Sequence, residues 1–166
     1  MEEFFETYLT FSLGKENFAI NVNHVEKILE YQPVTEVPKA PEYMLGVFNM
    51  RGEVIPLVDT RIKFGMEKTT ITTSTCILVI TIDNDGESLK LGALVDSVNE
   101  VVKYYNSDIL PLPTVGKQNK AEFLHGVMKY NEKFILMVNA DRIFSVDEII
   151  ELRAENFDLH ELSKQD

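Results

Sequence analysis

Apolar and polar residues alternate along this chain in short runs separated by turn residues. Between residues 8 and 13, Tyr8, Thr10 and Ser12 fall on one side and Leu9, Phe11 and Leu13 on the other. This two-residue period predicts a half-buried β-strand. Gly14, Lys15, Glu16 and Asn17 read as its turn, and residues 18–22 as the returning strand. The period then changes. Asn23 is placed to cap a short helix with Glu26 three residues on, and Val25, Ile28 and Leu29 then lie on one helical side. Three prolines between residues 33 and 41 predict an extended crossing segment. Residues 44–48 and 54–59 read as two strands joined through Asn49, Met50, Arg51, Gly52 and Glu53.

The second half follows the same order. Strands at 76–82 and 89–95 flank Asp83, Asn84, Asp85 and Gly86, a strong hairpin signal. A capped turn follows at Asp96, with Val98, Val101 and Val102 behind it. Pro111 and Pro113 repeat the proline crossing, residues 115–122 read as a polar loop, and 126–130 with 134–138 form a last hairpin. The similarity extends to identities. Gly46, Val47, Ile55 and Val58 return 80 residues later as Gly126, Val127, Ile135 and Val138, and residues 22–29 resemble 95–102 at a spacing of 73. Two copies of one small unit suggest a scaffold with two docking faces rather than one reaction centre.

Short strands with frequent turns favour small closed barrels, whose closure removes exposed sheet edges. The pattern predicts a mainly β chain with a first barrel over residues 1–68 and a second over 69–144, terminal strands being free to cross between them. The threonine-rich stretch 65–74 reads as the linker. Neither half buries much surface alone, so the two are expected to share a hydrophobic seam. Ser145 and Glu148 form a capping box opening a C-terminal helix and tail over 145–166, with apolar residues Ile149, Ile150, Leu152, Phe157, Leu159 and Leu162.

Composition narrows the function. With 45% hydrophobic and 26% charged residues the chain is of ordinary globular type. A net charge of -11 argues against phosphate-backbone binding, hence against nucleic acid, and against direct docking on an anionic membrane. The single cysteine, Cys76, excludes an intramolecular disulfide and reads as a buried small hydrophobe in its strand. His24, His125 and His160 lack metal-ligand spacing. No phosphate-binding glycine loop or nucleophile elbow occurs, and Asp83, Asp85 and Glu87 read as turn and solvating residues. The acidic start is unlike a signal peptide, and no apolar run approaches the ~20 residues of a membrane helix. The expectation is a cytoplasmic protein with no catalytic motif, cofactor or metal site, in which a paired-carboxylate hydrolase stays open because carboxylate separation is set by the fold.

The turn at Asn49, Met50, Arg51 and Gly52 stands out, because Met at a hairpin tip exposes apolar surface unless something covers it. Two readings compete: Met50 tucks onto the barrel and Arg51 is simply solvated, or the pair is offered to a partner. Asn49, Met50, Arg51 and Gly52, followed by Val54, Ile55, Pro56, Leu57, Val58, Asp59, Thr60 and Arg61, resemble the NLRG-x-VIPVIDLR signature of the CheW family of bacterial chemotaxis coupling proteins. Leu94 to Val98 resembles that family's VDSV segment, and Val37, Pro38, Lys39, Ala40, Pro41 and Gly46 fit its pattern. The resemblance spans residues 7–150.

It implies two five-stranded SH3-like barrels and a non-enzymatic adaptor, without catalytic residues, that links the cytoplasmic tip of membrane chemoreceptors to the regulatory domain of a histidine kinase. Membrane association would then come only through receptors. By the resemblance, Arg51, with Met50 and Gly52, lies at a receptor-facing groove, and Val25 and Ile28 match apolar positions beside it. Val98, Val101 and Val102 hold the equivalent place in the second half, as barrel core or as partner contacts. The chain departs from the family at Lys27, where the family usually has Glu, so an acidic neighbour for Arg51 is missing unless Glu26 or Glu30 supplies it. The rival readings are the same coupling module in another receptor–kinase pathway, such as surface motility, and a small β-barrel hydrolase.

Overall fold

The computed structural model describes residues 3–112 and 122–153. Ten strands carry the fold: β1 (Phe5–Leu13), β2 (Glu16–Asn21), β3 (Val25–Glu30), β4 (Met44–Met50), β5 (Glu53–Asp59), β6 (Cys76–Asn84), β7 (Glu87–Val95), β8 (Ser97–Tyr105), β9 (Leu124–Tyr130) and β10 (Lys133–Val138). Two short helices, α1 (Thr60–Lys63) and α2 (Val146–Leu152), follow the β4–β5 and β9–β10 hairpins. The strands form two five-stranded sheets, ordered β8-β1-β2-β10-β9 and β3-β6-β7-β5-β4. They are the two SH3-like barrels of a mainly β protein.

Terminal strands do cross between the two halves, as the sequence left open. The β1–β2 hairpin of the first repeat completes the sheet of β8, β9 and β10, while the β6–β7 hairpin of the second completes that of β3, β4 and β5. Each borrowed hairpin is held by a parallel ladder, β2 with β10 and β5 with β7. The physical reason lies in two short links. β2 passes to β3 through a single 3-10 turn, Val22–His24, and β7 passes to β8 through Asp96 alone. Neither link contains a positive-φ residue of the kind a two-residue reversal requires, so the chain runs on into the other sheet. The stretch 65–74 is likewise no inter-barrel linker. It connects β5 and α1 to β6 within one sheet, and Thr69 is buried there, its N–H and hydroxyl donating to Asp59 at 3.0 and 2.7 Å.

The helix expected from Asn23 onward is cut to the single 3-10 turn Val22–His24, and Val25 to Leu29 are strand. Asn21, not Asn23, accepts the capping hydrogen bond of the one-turn helix, and β3 then pairs antiparallel with β6. A run of six residues fits both periods, and pairing with a ready strand edge decides it. The turn expected after Asp96 is likewise strand β8, paired with β1. Strand β1 is buried on both faces rather than one. Leu9, Phe11 and Leu13 enter the seam between the sheets, whereas Tyr8 packs inside its own barrel with Ala19, Tyr104, Met128 and Met137. The seam joins those residues and Phe18 to Leu78, Ile80 and Leu91 of the other sheet. Ile149 and Leu152 of α2 and the preceding Phe144 close it. The Ser145–Glu148 capping box starts α2 as expected, each backbone N–H donating to the other's side chain. Phe157, Leu159 and Leu162, and Pro113 with most of the 115–122 loop, lie outside the described residues. Cys76 is half-buried at the start of β6, its thiol 3.2 Å from the Ser74 carbonyl oxygen.

The duplication reaches the irregularities. β3 bulges between Val25 and Lys27, and β8 bulges at the matching place, where Phe11 and Leu9 face Val98 and Val101. In each half the crossing segment adds one bridge to the last hairpin, Thr35 to Val47 and Leu110 to Val127. Gly46 and Gly126 sit beside these bridges, where a Cβ would run into the backbone of Thr35 or Leu110.

Candidate functional site: the hairpin groove

The β4–β5 turn is built on Arg51 (φ 52°) and Gly52 (φ 87°), both left-handed, as a tight two-residue hairpin requires. Asn49 fixes it, its side-chain oxygen accepting the Gly52 N–H at 2.8 Å. Arg51 is thus held exposed at the tip on a rigid turn, and among the described residues it makes no ion pair. Both readings of the turn hold in part. Met50 is half-buried against the barrel interior, beside Leu29 and the Phe48–Leu57 cluster, while Arg51 points away from it into solvent.

Beside the turn lies a groove of about 340 Å³ lined by Glu26, Lys27, Met50, Arg51 and Glu53. The β3 bulge brings both Glu26 and Lys27 to its edge, the usual effect of a bulge in re-aiming a side chain. Lys90 of β7 reaches across to both carboxylates, 3.1 Å from Glu26 and 3.3 Å from Glu53. The hydrogen bond to Glu26, reinforced by Glu53 and opposed by some loss of hydration, holds the Lys90 ammonium above its ordinary range. Glu26 is therefore taken by Lys90 rather than by Arg51, and Glu30 does not line the groove.

The two apolar positions on β3 separate. Val25 is half-buried against the seam, whereas Ile28 is 47% exposed on the outer face. The same split occurs in the second half. Val98 packs on the seam, Val102 packs inside the barrel, and Val101 is 61% exposed. Ile28 and Val101 are repeat equivalents, so each edge strand presents one aliphatic side chain.

The second barrel carries a counterpart groove of about 230 Å³, lined in part by Asn99, Glu100, Tyr130, Asn131 and Lys133. These positions match Glu26, Lys27, Met50, Arg51 and Glu53 at spacings of 73 and 80. Its charges differ in kind: Glu100 stands for Lys27, Asn131 for Arg51 and Lys133 for Glu53. A hydrogen bond with Glu100 is the main cause of the raised Tyr130 phenol pKa.

A charged clamp escaped sequence reasoning. Arg61 donates from Nε to Asp96 Oδ1 at 2.9 Å and from Nη2 to Oδ2 at 2.5 Å, and the Gly14 N–H donates to the same carboxylate at 2.6 Å. It ties the β1–β2 turn to α1 and the β7–β8 bend, and so one sheet to the other. Burial works to raise the Asp96 pKa, but the Arg61 and Gly14 hydrogen bonds outweigh it and hold the carboxyl below its ordinary value. The repeat-equivalent place shows the opposite polarity, with Asp141 accepting the Asp83 N–H at 2.8 Å and facing His24 at 3.8 Å. Both Arg61 and Asp96 stand inside motif stretches, yet nothing in their spacing shows that they meet. His24 and His125, distant in sequence, line one cleft of about 410 Å³ with Glu6, and burial pushes the His125 pKa down. Among the described residues no group of three or more His, Cys, Asp or Glu is placed to hold a metal ion, and no helix is long and apolar enough to cross a membrane. His160 lies outside the described residues.

Two duplicated SH3-like barrels with an exposed Arg-bearing hairpin define a protein-docking scaffold. The CheW-like domain profile matches residues 7–148, and the chain belongs to that family of chemotaxis scaffold proteins. It is 32% identical over 140 residues to the chemotaxis protein CheW of Rhizobium meliloti, covering 84% of this chain and 88% of that protein. It is 28% identical over 144 residues to chemotaxis protein CheW of Klebsiella aerogenes, covering 87% and 84%. The crystal structure of the scaffolding protein TtCheW from Thermoanaerobacter tengcongensis superposes with a TM-score of 0.73 at 27% identity, covering 84% of this chain and 92% of that one. The family is one of scaffolds rather than enzymes.

Proposed function

We propose that this protein is a cytoplasmic, non-catalytic adaptor that holds a chemotaxis histidine kinase against the signalling tip of membrane chemoreceptors. The observation that carries the proposal is the exposed Arg51 on a rigid turn beside an open groove, in a chain of the CheW-like family. Arg51, Met50 and Gly52 with the exposed Ile28 form the receptor side, and Val25 supports it from the seam. In the second half Val101 is the exposed member of the three valines and the one offered to a partner, while Val98 and Val102 hold it in place. The kinase regulatory domain takes a separate face. Binding both partners at once raises the effective concentration of each for the other without new chemistry. A signal passes when receptor states differ in their free energy of contact with the adaptor–kinase unit.

The test is co-precipitation with purified receptor tip and kinase, singly and together, using Arg51→Asp. The substitution should leave the fold intact, because the repeat-equivalent turn residue, Asn131, is a short polar side chain at φ 50°. Loss of the receptor with retention of the kinase supports the proposal. Binding of neither partner by the wild-type chain defeats it.

A further inference from the structure

We propose that the hairpin groove selects an acidic segment, one whose carboxylates pair with both Lys27 and Arg51. The inference deepens the receptor-docking reading and rests on it for the identity of the partner, though not for the chemistry of the groove. The groove holds two carboxylates, and both are engaged by Lys90, at 3.1 Å from Glu26 and 3.3 Å from Glu53. The side chains of Lys27 and Arg51, lining the same groove, make no hydrogen bond or ion pair among the described residues. With Lys90, three cations face two carboxylates, so the groove is locally positive in a chain of net charge -11. Such a local inversion focuses the field and favours an anionic partner over the rest of the surface. Lys90 acts as a positioning residue: by holding Glu26 and Glu53 it keeps them from neutralising the two free cations. The counterpart groove is an internal control. Its architecture is the same, yet Glu100 and Asn131 replace Lys27 and Arg51. One folding unit thus gives two grooves that discriminate by charge.

The full chain is titrated with the receptor-tip fragment and with two synthetic helical peptides that differ only in carrying two Glu or two Gln one turn apart, followed by fluorescence anisotropy and by backbone amide shifts. The Glu peptide should bind about tenfold more tightly than the Gln peptide. Its shifts should fall at Lys27 and Arg51 and not at Glu100 and Asn131. Lys27→Glu should remove the preference, and a Lys-bearing peptide should recover binding to that variant. Lys90→Gln should weaken Glu-peptide binding without touching it directly, an effect that a purely structural lysine would not produce. Equal binding of the two peptides, or a Lys27→Glu variant that keeps the preference, overturns the inference. The receptor arm separates the two proposals. A tip fragment that binds wild type and Lys27→Glu equally leaves the coupling role standing and sinks the acidic selection. A tip fragment that fails to bind, beside an intact Glu-peptide preference, does the reverse.

Discussion

Gly46→Ala tests whether barrel closure depends on the close approach of the crossing segment to β4. Gly46 has φ 155°, a region open essentially to glycine alone. A Cβ there would stand 2.9 Å from the Thr35 carbonyl carbon and closer still to its oxygen, which is backbone and cannot swing aside. Relief requires the crossing segment to lift. That strains the paired bonds Thr35 N–H to Val47 O and Val47 N–H to Thr35 O, both 2.8 Å. Backbone strain costs on the order of 1–3 kcal/mol, and weakening two hydrogen bonds adds roughly 1–2 kcal/mol. The expected loss is about 3 kcal/mol. Gly52→Ala is the comparison: its φ is 87°, but nothing lies within 4 Å of the added methyl, so only the backbone penalty of about 1 kcal/mol remains. Urea unfolding of both variants measures the difference, and hydrogen exchange at the Val47 amide reports the local opening. If the two variants unfold within about 0.5 kcal/mol of each other, the bridge is not what Gly46 serves and the reasoning fails.

Two other perturbations probe the charged contacts and the helix start. Asp96 and Glu148 both titrate below the ordinary carboxyl range. For each, burial opposes the shift; Arg61 and Gly14 overcome it at Asp96, as Lys63 and Ser145 do at Glu148. A depressed folded pKa contributes stability above the unfolded value of about 4 and loses it as pH falls through the folded value. Stability should therefore drop on acidification below about pH 4, and the double variant Asp96→Asn with Glu148→Gln should flatten that limb in denaturant melts taken across pH; an unchanged slope would assign the acid sensitivity elsewhere. Ser145→Ala removes the hydroxyl that accepts the Glu148 N–H at 3.1 Å. It should cost about 1 kcal/mol in thermal unfolding, because α2 is short and its Ile149 and Leu152 are buried in the seam.

Most strands were legible because their two-residue period and turn residues are local properties. Asp85 and Gly86, and Arg51 and Gly52, take the left-handed turns that the hairpin signals predict, and the capping box at Ser145 marks the helix start. The repeat of Gly46 as Gly126 carries tertiary meaning, since both glycines admit the same crossing contact. Two kinds of feature were hidden. At β3 and β8 a short run is compatible with a helical face and with a strand, and the edge of β6 or β1 settles which forms. Sheet membership is the other. The order strand, turn, strand leaves open whether β1 and β2 stay in their own repeat, because the cause of their crossing is a missing reversal at residues 22–24 and 96 rather than a motif. The buried role of Asp59 is hidden likewise, because nothing in its spacing from Thr69 shows that the threonine donates to it.

The exchange of hairpins bears on how such an adaptor works. If each barrel were made from its own repeat, the two could move apart at a linker, and partners on the two would be joined loosely. Here separation would mean withdrawing β6 and β7 from the β5 ladder, or β1 and β2 from the β10 ladder, and opening a continuous seam. The Arg61–Asp96–Gly14 clamp adds a charged tie across the same boundary. The turns at Arg51 and Asn131 are therefore fixed relative to one another by the core itself. A rigid spacing lets contact energy at one face be felt as orientation at the other, since little is lost in bending between them. Duplication supplies two identical places at that fixed spacing. Divergence then has only to change side chains, Lys27 against Glu100 and Arg51 against Asn131, and on the proposed reading one unit thereby presents two faces that do not compete for the same partner.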